Sequence, residues 1–334
     1  MIWAMRVDKC FSAAGVEIVA RPYLVEDELS KLAQACSEDW IKWLDSQKLI
    51  DQDAVPISLE ILNGGKFYYS QAAWNAVHQE RPAGLMQLRA RRGHASAESY
   101  GGAAHNDKNL EPGMELYQSP GSDWCVRLWD IPPQLSFTGP VLVGDTIATG
   151  TTLVGVLGWL VEKMATAQAV HDIHVFTIVG ASEWTSGDGG VIEKLKHVDE
   201  ALQGHGKQLT ITFCNATFAL APNGTDLSPC PAKGAQWLPE GLKMLEELVG
   251  GDFPLAQMQC GVWDWGDRFT KPLHHLEEVL EHYQELAAAP SYITAALRER
   301  IESRGGAPNK KQKVASPSGA MKRIESKAGM KCEE

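Results

Sequence analysis

The sequence has no CxxC pair and no cluster of Cys and His at metal-ligand spacing. Its seven cysteines, Cys10, Cys36, Cys125, Cys214, Cys230, Cys260 and Cys332, are scattered and odd in number. That argues against a disulfide framework or a structural zinc site and for reduced, mostly buried thiols. The pairs His171/His174 and His274/His275 lack a third ligand nearby and read as structural or surface groups. A long apolar run is also missing. The longest uncharged apolar stretch lies between Asp145 and Glu162, shorter than the roughly 20 residues a bilayer requires and rich in Thr and Gly. Arg6, Asp8, Lys9 and Glu17 interrupt the N-terminus, so no signal-peptide apolar region forms there. These absences predict a soluble, intracellular, cytoplasmic chain with no membrane partner. Positive charge is scarce as well. Lys+Arg 31 against Asp+Glu 42 gives a net charge of -11, which opposes binding to a nucleic acid polymer or an anionic surface. The segment from Arg304 to Glu334 holds eight Lys/Arg and three Asp/Glu, so it carries +5 and the rest carries -16. No internal repeat is present.

What is there reads as an ordinary globular chain. It has 334 residues, 44% hydrophobic and 22% charged, enough for one large domain or two modest ones. Eleven tryptophans are many for this size; most belong in a core and a few can serve as stacking surfaces. Leu29, Leu32, Cys36, Trp40 and Trp43 mark one face of a helix over 26–44. Residues 56–62 form a short apolar strand ending at Asn63-Gly64-Gly65, and a helix-like stretch follows over 66–77. Residues 83–89 read as a second strand. A Gly-, Ser-, Ala- and His-rich segment then begins near Arg91 and reads as a long mobile loop. Val141–Val143 and 173–180 read as buried strands, with a buried helix between them marked by Leu153, Val156, Leu157, Leu160 and Met164. Residues 208–214 alternate and read as a half-buried strand. Helices follow over 239–249, 273–288 and 291–303, and the last residues, 304–334, read as a disordered basic tail. Strands alternating with helices from 56 to 214 predict an α/β parallel sheet.

The most informative segment runs Val141-Leu142-Val143-Gly144-Asp145-Thr146-Ile147-Ala148-Thr149-Gly150-Thr151-Thr152. A strand ends, the chain turns through T-G-T-T, and a helix begins. Successive backbone N–H groups in such a turn form an anion nest, and the helix N-terminus adds positive potential. Threonine hydroxyls add donors, so a phosphomonoester can be held without a basic side chain. Asp145 can accept hydrogen bonds from two vicinal hydroxyls. Phosphate and diol together describe a ribose 5-phosphate.

This segment resembles the PRPP loop of the type I phosphoribosyltransferases: four apolar residues, two acids, two apolar residues, then x-T-G-x-T. Asp145 matches the second acid and Gly144 replaces the first. Ile61-Leu62-Asn63-Gly64-Gly65-Lys66-Phe67 is similar to the pyrophosphate loop of hypoxanthine-type members, with Asn63 where that family usually has Lys. Ser99-Tyr100-Gly101 resembles their mobile-loop S-Y-G. Near the C-terminus, Asp264, Gly266, Asp267 and Arg268 resemble the G-D-x-G-D-R element of uracil-type members. The same stretch also reads as a Trp-rich packed turn with a surface Asp–Arg pair. Ala148 stands where purine-type members often carry a base-handling Asp and where uracil-type members carry Ala. The Lys that purine-type members place near the end of the strand matching 173–180 is missing.

The resemblance implies a type I phosphoribosyltransferase-like sheet flanked by helices, with helical N-terminal and C-terminal additions. It implies an N-terminal helical extension over 1–50 and a transferase domain over 51–303 with an insertion around 185–258. It implies transfer of 5-phosphoribosyl from PRPP to a nucleobase with release of pyrophosphate, supported by Mg²⁺. Ala148, Thr149, Gly150, Thr151 and Thr152 would hold the 5-phosphate. Asn63, Gly64, Gly65, Ser99 and Tyr100 would hold pyrophosphate. Asp145 and Asp264 would be catalytic, Asp264 and Asp267 would meet the metal, and Trp263 and Trp265 would stack on the base. Arg89, Arg91 and Arg92 either contact pyrophosphate or form a solvated basic cluster. The implied partners are PRPP and a nucleobase, with a homo-oligomer left open. The alternative is a silent member that binds PRPP or a nucleotide as a sensor. The tail segment Pro308–Val314 faintly resembles a nuclear localisation signal but reads first as a solubilising basic tail.

Overall fold

The computed structural model describes residues 5–62, 64–94, 113–120, 124–182, 190–220, 227–250, 265–285 and 291–306. Eight strands form one sheet: β1 (Arg6–Cys10), β2 (Ile57–Leu62), β3 (Gly84–His94), β4 (Glu115–Gln118), β5 (Trp124–Trp129), β6 (Val141–Gly144), β7 (Ile173–Thr177) and β8 (Leu209–Cys214). Their order is β1-β8-β7-β6-β2-β3-β5-β4. The strands from β1 across to β3 pair in parallel, and β5 and β4 continue that edge antiparallel. The helices are α1 (Ala13–Ala20), α2 (Glu26–Ser46), α3 (Ser70–Val77), α4 (Thr151–Thr166), α5 (Val191–Lys194), α6 (Lys196–Gln203), α7 (Pro239–Val249), α8 (Trp265–Thr270), α9 (Pro272–Glu285) and α10 (Ser291–Ser303). The α/β class read from the sequence is the observed one.

Side-chain alternation along the strands builds two cores. Val141, Val143, Ile173, Val175, Ile211 and Phe213 face α4 and α6, where Leu153, Leu157, Leu160 and Leu202 are buried. Leu142 and Phe176 face the opposite way, towards α1, α2, α3 and the C-terminal helices, and Trp40 of α2 stacks on Phe176 at 4.9 Å. Because both faces are covered, all six residues of β8 are buried. The half-buried expectation fails for that reason: Thr210 and Thr212 lie under α1 and α2 rather than in water.

Residues 1–50, read as an N-terminal extension, supply part of the main sheet and of one core. β1 is the edge strand paired with β8, and α1 and α2 form much of one core. The insertion expected around 185–258 contains β8, which joins β1 to the rest of the sheet, so it is part of the fold. The helix expected over 66–77 is split. A 3-10 turn over Gly65–Tyr68 precedes α3, and Tyr69 between them takes φ 54°. The pattern reading misses β1, β4, β5, α1, α5, α6 and α8, and β3 runs on to His94 into the segment read as loop. Residues 95–112 of the mobile loop expected over 91–113, and the tail beyond Gly306, lie outside the described residues. Among the described residues, no helix is long and apolar enough to cross a membrane.

Candidate active site

Chain direction across the sheet reverses between β2 and β6. From β2 the chain crosses over to β3 on one side; from β6 it proceeds to β7 and β8 on the other. The loops leaving two such strands diverge and open a crevice at the carboxyl edge. Here those loops are the Gly64–Gly65 turn and the segment 144–152, two of the elements the sequence singles out. They touch: a Cβ on Gly65 would lie 2.8 Å from the Gly144 carbonyl oxygen.

Tyr68 joins the parts. A Cβ on Gly144 would overlap the Tyr68 Cβ and Cγ. The Tyr68 hydroxyl is 2.9 Å from Thr146 Oγ1, and its carbonyl accepts a hydrogen bond from Ser37 of α2. Its ring is fully buried, 5.4 Å from Trp265 and edge-on to Phe176. Burial holds the Tyr68 phenol well above its usual range, so it is neutral. The following Phe67 stacks on Phe269 of α8 at 4.1 Å.

The segment after β6 is fixed by backbone. Asp145 N–H donates to Phe176 O, Ile147 N–H to Val179 O, and Ala181 N–H to Ile147 O. Gly150 then takes φ 71°, the left-handed region that favours glycine, and starts α4 with no side-chain cap. Space dictates glycine as well, since a Cβ would overlap Val191 of α5. The N–H groups of Thr151, Thr152 and Leu153 lie at the open end of the 16-residue helix. Thr149 Oγ1 is 3.2 Å from Thr151 Oγ1. Two cations converge on the same threonine: Arg92 Nη1 donates to Thr149 Oγ1 at 3.3 Å, and Lys194 Nζ donates to Thr149 O at 3.3 Å. The expectation of a phosphate loop without basic side chains is therefore corrected. Arg92 is among the arginines named from the sequence, but it reaches 149 rather than the Gly64–Gly65 turn. Lys194 carried no sequence signal, because only the short α5 folding back onto Gly150 brings it there.

Asp145 is partly buried at the crevice. Its Oδ1 accepts the Thr146 N–H at 2.8 Å. Burial, only partly offset by that bond, pushes its carboxyl up to about 7.

No family model and no curated protein matches the chain. Solved structures do. Adenine phosphoribosyltransferase from Saccharomyces cerevisiae, complexed with an imino-altritol bisphosphate and adenine, aligns at 12% identity over 55% of this chain and 79% of that one, with a TM-score of 0.30. Adenine phosphoribosyltransferase from Thermoanaerobacter pseudethanolicus aligns at 14% identity over 55% of this chain and 81% of that one, with a TM-score of 0.29.

The remaining sequence candidates separate. Asn63, Ser99, Tyr100, Trp263 and Asp264 lie outside the described residues. Trp265 is 3% exposed, with Tyr68 and Phe269 packed against it. It is a core side chain, which corrects its expected stacking on a base. Asp267 is held by Lys271 Nζ at 3.2 Å, one turn along the same helical run. Arg268 is not a surface partner of Asp267. It is fully buried and donates to the carbonyls of Leu24 and Arg21, clamping α8 to the turn between α1 and α2. Arg89 pairs with Asp130 at 2.9 Å, with both side chains about half exposed. Among the described residues no three His, Cys, Asp or Glu side chains are placed to hold a metal. Among the described residues Asp145 is the carboxylate of the 144–152 loop, and with no group of three ligands around it these residues do not build a magnesium site by themselves.

Proposed function

We propose that the chain binds a pentose 5-phosphate at the β2/β6 crevice and transfers 5-phosphoribosyl from PRPP to a nucleobase, releasing pyrophosphate. The observation that supports this reading is the meeting of the Gly64–Gly65 turn and the 144–152 loop through Gly144 and Tyr68, with Arg92 and Lys194 both at Thr149. A phosphate at the α4 N-terminus would receive the first-turn amides, the hydroxyls of Thr149, Thr151 and Thr152, and two positive charges. Asp145 would hold a ring hydroxyl and lie close to the positive charge that develops on the sugar as the leaving group departs. The Gly64–Gly65 turn would face the pyrophosphate. Positioning and electrostatics carry such a displacement; the protein need form no covalent bond to the sugar. Mg²⁺, if used, would arrive with the pyrophosphate oxygens and offset their charge.

Incubation with PRPP, Mg²⁺ and each of uracil, hypoxanthine, guanine, xanthine and adenine tests the reading. Pyrophosphate and a nucleotide appear with one of them if it is right; none from any base counts against transfer. One observation favours a second reading, a PRPP or nucleotide sensor. The first acid of the motif is absent and has no room, because Tyr68 fills its place. PRPP binding by calorimetry without turnover selects that reading.

A further inference from the structure

Three buried thiols meet where β1 and β8 end, away from the β2/β6 crevice. Cys10 and Cys214 are register partners on the two strands, and Cys36 of α2 lies against Cys214. The Cys36 and Cys214 sulfurs are 3.6 Å apart. Helix α1 leaves them that room by carrying glycine: a Cβ on Gly15 would lie 2.4 Å from the Cys214 sulfur and 2.9 Å from that of Cys36. Among the described residues no three such ligands are placed to hold a metal, so the cluster is not a metal centre. We infer that Cys36 and Cys214 are a modification site, an oxidisable pair that a hydroperoxide converts to a disulfide, with the Cys36 proton leaving through Ser12 to Asp39.

A thiol buried among apolar groups is inert, because it cannot lose its proton. Cys36 differs. Its thiol donates to Ser12 Oγ at 3.4 Å, and the Ser12 hydroxyl donates to Asp39 Oδ2 at 2.7 Å. The Asp39 side chain is 37% exposed, so this line of hydrogen bonds runs from a buried sulfur to a carboxylate at the surface. Cys214 has the opposite setting. The neighbouring thiols of Cys10 and Cys36, with burial, hold it well above the usual thiol range, so it keeps its proton and serves as the second thiol. Cys10 is the poorer partner for Cys214. In-register positions on adjacent strands point their side chains the same way about 4.8 Å apart, whereas disulfide Cβ atoms face each other at about 3.5–4.5 Å. The chemistry balances. The Cys36 proton passes to Asp39, and the sulfur attacks the peroxide O–O bond, which breaks to give a sulfenic acid and hydroxide. The hydroxide takes the proton back and leaves as water. The Cys214 sulfur then attacks the sulfenic sulfur; the S–O bond breaks, the S–S bond forms, and a second water leaves with the Cys214 proton. Two thiols are oxidised and one peroxide is reduced to two waters.

Hydrogen peroxide on the full folded chain tests this. Remaining thiols are capped with N-ethylmaleimide during denaturation, and the digest is mapped by mass spectrometry without reduction. The expected product is a peptide pair joined through Cys36 and Cys214, released by dithiothreitol, with Cys10 capped as a free thiol. A Cys10–Cys214 link as the main product overturns the inference. So do three reduced thiols, or sulfinic and sulfonic acids without a link. The chain unfolded in urea should give links scattered over its cysteines, and the same preference there would show that the fold does not select the pair. Asp39→Asn keeps an acceptor for the Ser12 hydroxyl but is a far weaker base. It should slow formation of the link about tenfold or more, as expected for loss of a positioned proton acceptor, with the melting temperature little changed. An unchanged rate overturns the proton route.

Discussion

The Tyr68 ring lies against the Cα of Gly144, and no atom lies within 4 Å of where a Cβ on Gly64 would be. These two glycines therefore make a controlled pair. Gly144→Ala forces the tyrosine or the β6 backbone to move and should destabilise by about 2–3 kcal/mol, in the range for overpacking a tight core. Gly64→Ala should change stability by less than about 0.5 kcal/mol. Urea midpoints of the two variants check this, and equal shifts would remove the packing argument. Asp145 gives a pH-dependent counterpart. In the folded chain it keeps its proton to about pH 7; an unfolded carboxyl loses it near pH 4. The folded state binds more protons in that window, so this group's contribution to stability falls as pH rises from about 4 to about 7. Asp145→Asn removes the penalty. It should raise the melting temperature at pH 8 and give progressively less as pH approaches 4 in calorimetric scans, and an equal gain at both ends would show that burial of charge is not the cause. The sequence singles out Asp145 and Thr149–Thr152 because a buried strand, a T-G-T-T turn and a helix start follow one another there, and the fold brings that loop to the carboxyl edge beside β2. It does not explain Gly144. The resemblance makes Gly144 a missing acid, and packing shows that an aromatic ring leaves a side chain there no room.

Helix α8 reaches the Gly64–Gly65 turn through aromatic contacts, Phe67 on Phe269 and Tyr68 on Trp265. A double-mutant cycle on Phe67→Leu and Phe269→Leu should give a coupling of about 0.5–1.5 kcal/mol in urea unfolding. Additive losses would mean the stacked pair does not tie the helix to the turn. On the other side, β3 and α5 deliver Arg92 and Lys194 to Thr149. Arg92→Ala should weaken PRPP binding about tenfold while shifting the melting temperature little, since the side chain is solvent-exposed along a strand. Calorimetry against PRPP decides it, and unchanged affinity would return Arg92 to the role of a solvated charge. Elements with strong local signals were legible: α7 begins on Pro239 and its run ends before Gly250 φ 81°, and α10 follows Pro290. Short or charged elements were not. β1, with Arg6, Asp8 and Lys9, has no apolar pattern of its own and is a strand because β8 offers it a parallel edge. The stretch read as uracil-type falls at Asp267 and Arg268 on α8, where the arginine clamps a buried turn rather than pairing with the aspartate at the surface.

At the scale of the molecule, a chain that is -16 outside its tail still presents two cations and a helix N-terminus at one loop, so net charge and local potential are separate facts. A second consequence concerns where the molecule can be divided. Alternating strands and helices from 56 onward suggest that the sheet could stand without the first 50 residues. The packing says otherwise. α2 covers Phe176 with Trp40, supplies Ser37 to the Tyr68 carbonyl, and buries Leu29, Ala33, Cys36, Ile41 and Leu44 at 0% exposure against the sheet and its neighbouring helices. Asn215, at the end of β8, exchanges hydrogen bonds with the Ser12 backbone at 2.9 and 2.8 Å. Removing 1–50 would open the β6–β8 face to water, including the buried His174, Thr210 and Thr212, and strand the Arg268 clamp without the Leu24 carbonyl. Burial of each large apolar side chain on that face contributes about 1.5–3 kcal/mol, and marginal stabilities of about 5–15 kcal/mol cannot absorb the loss of so many. A chain beginning at residue 51 should therefore lack cooperative thermal unfolding and near-ultraviolet dichroism while the full chain shows both; a sharp transition in the shortened chain would establish the N-terminal segment as a dispensable addition after all.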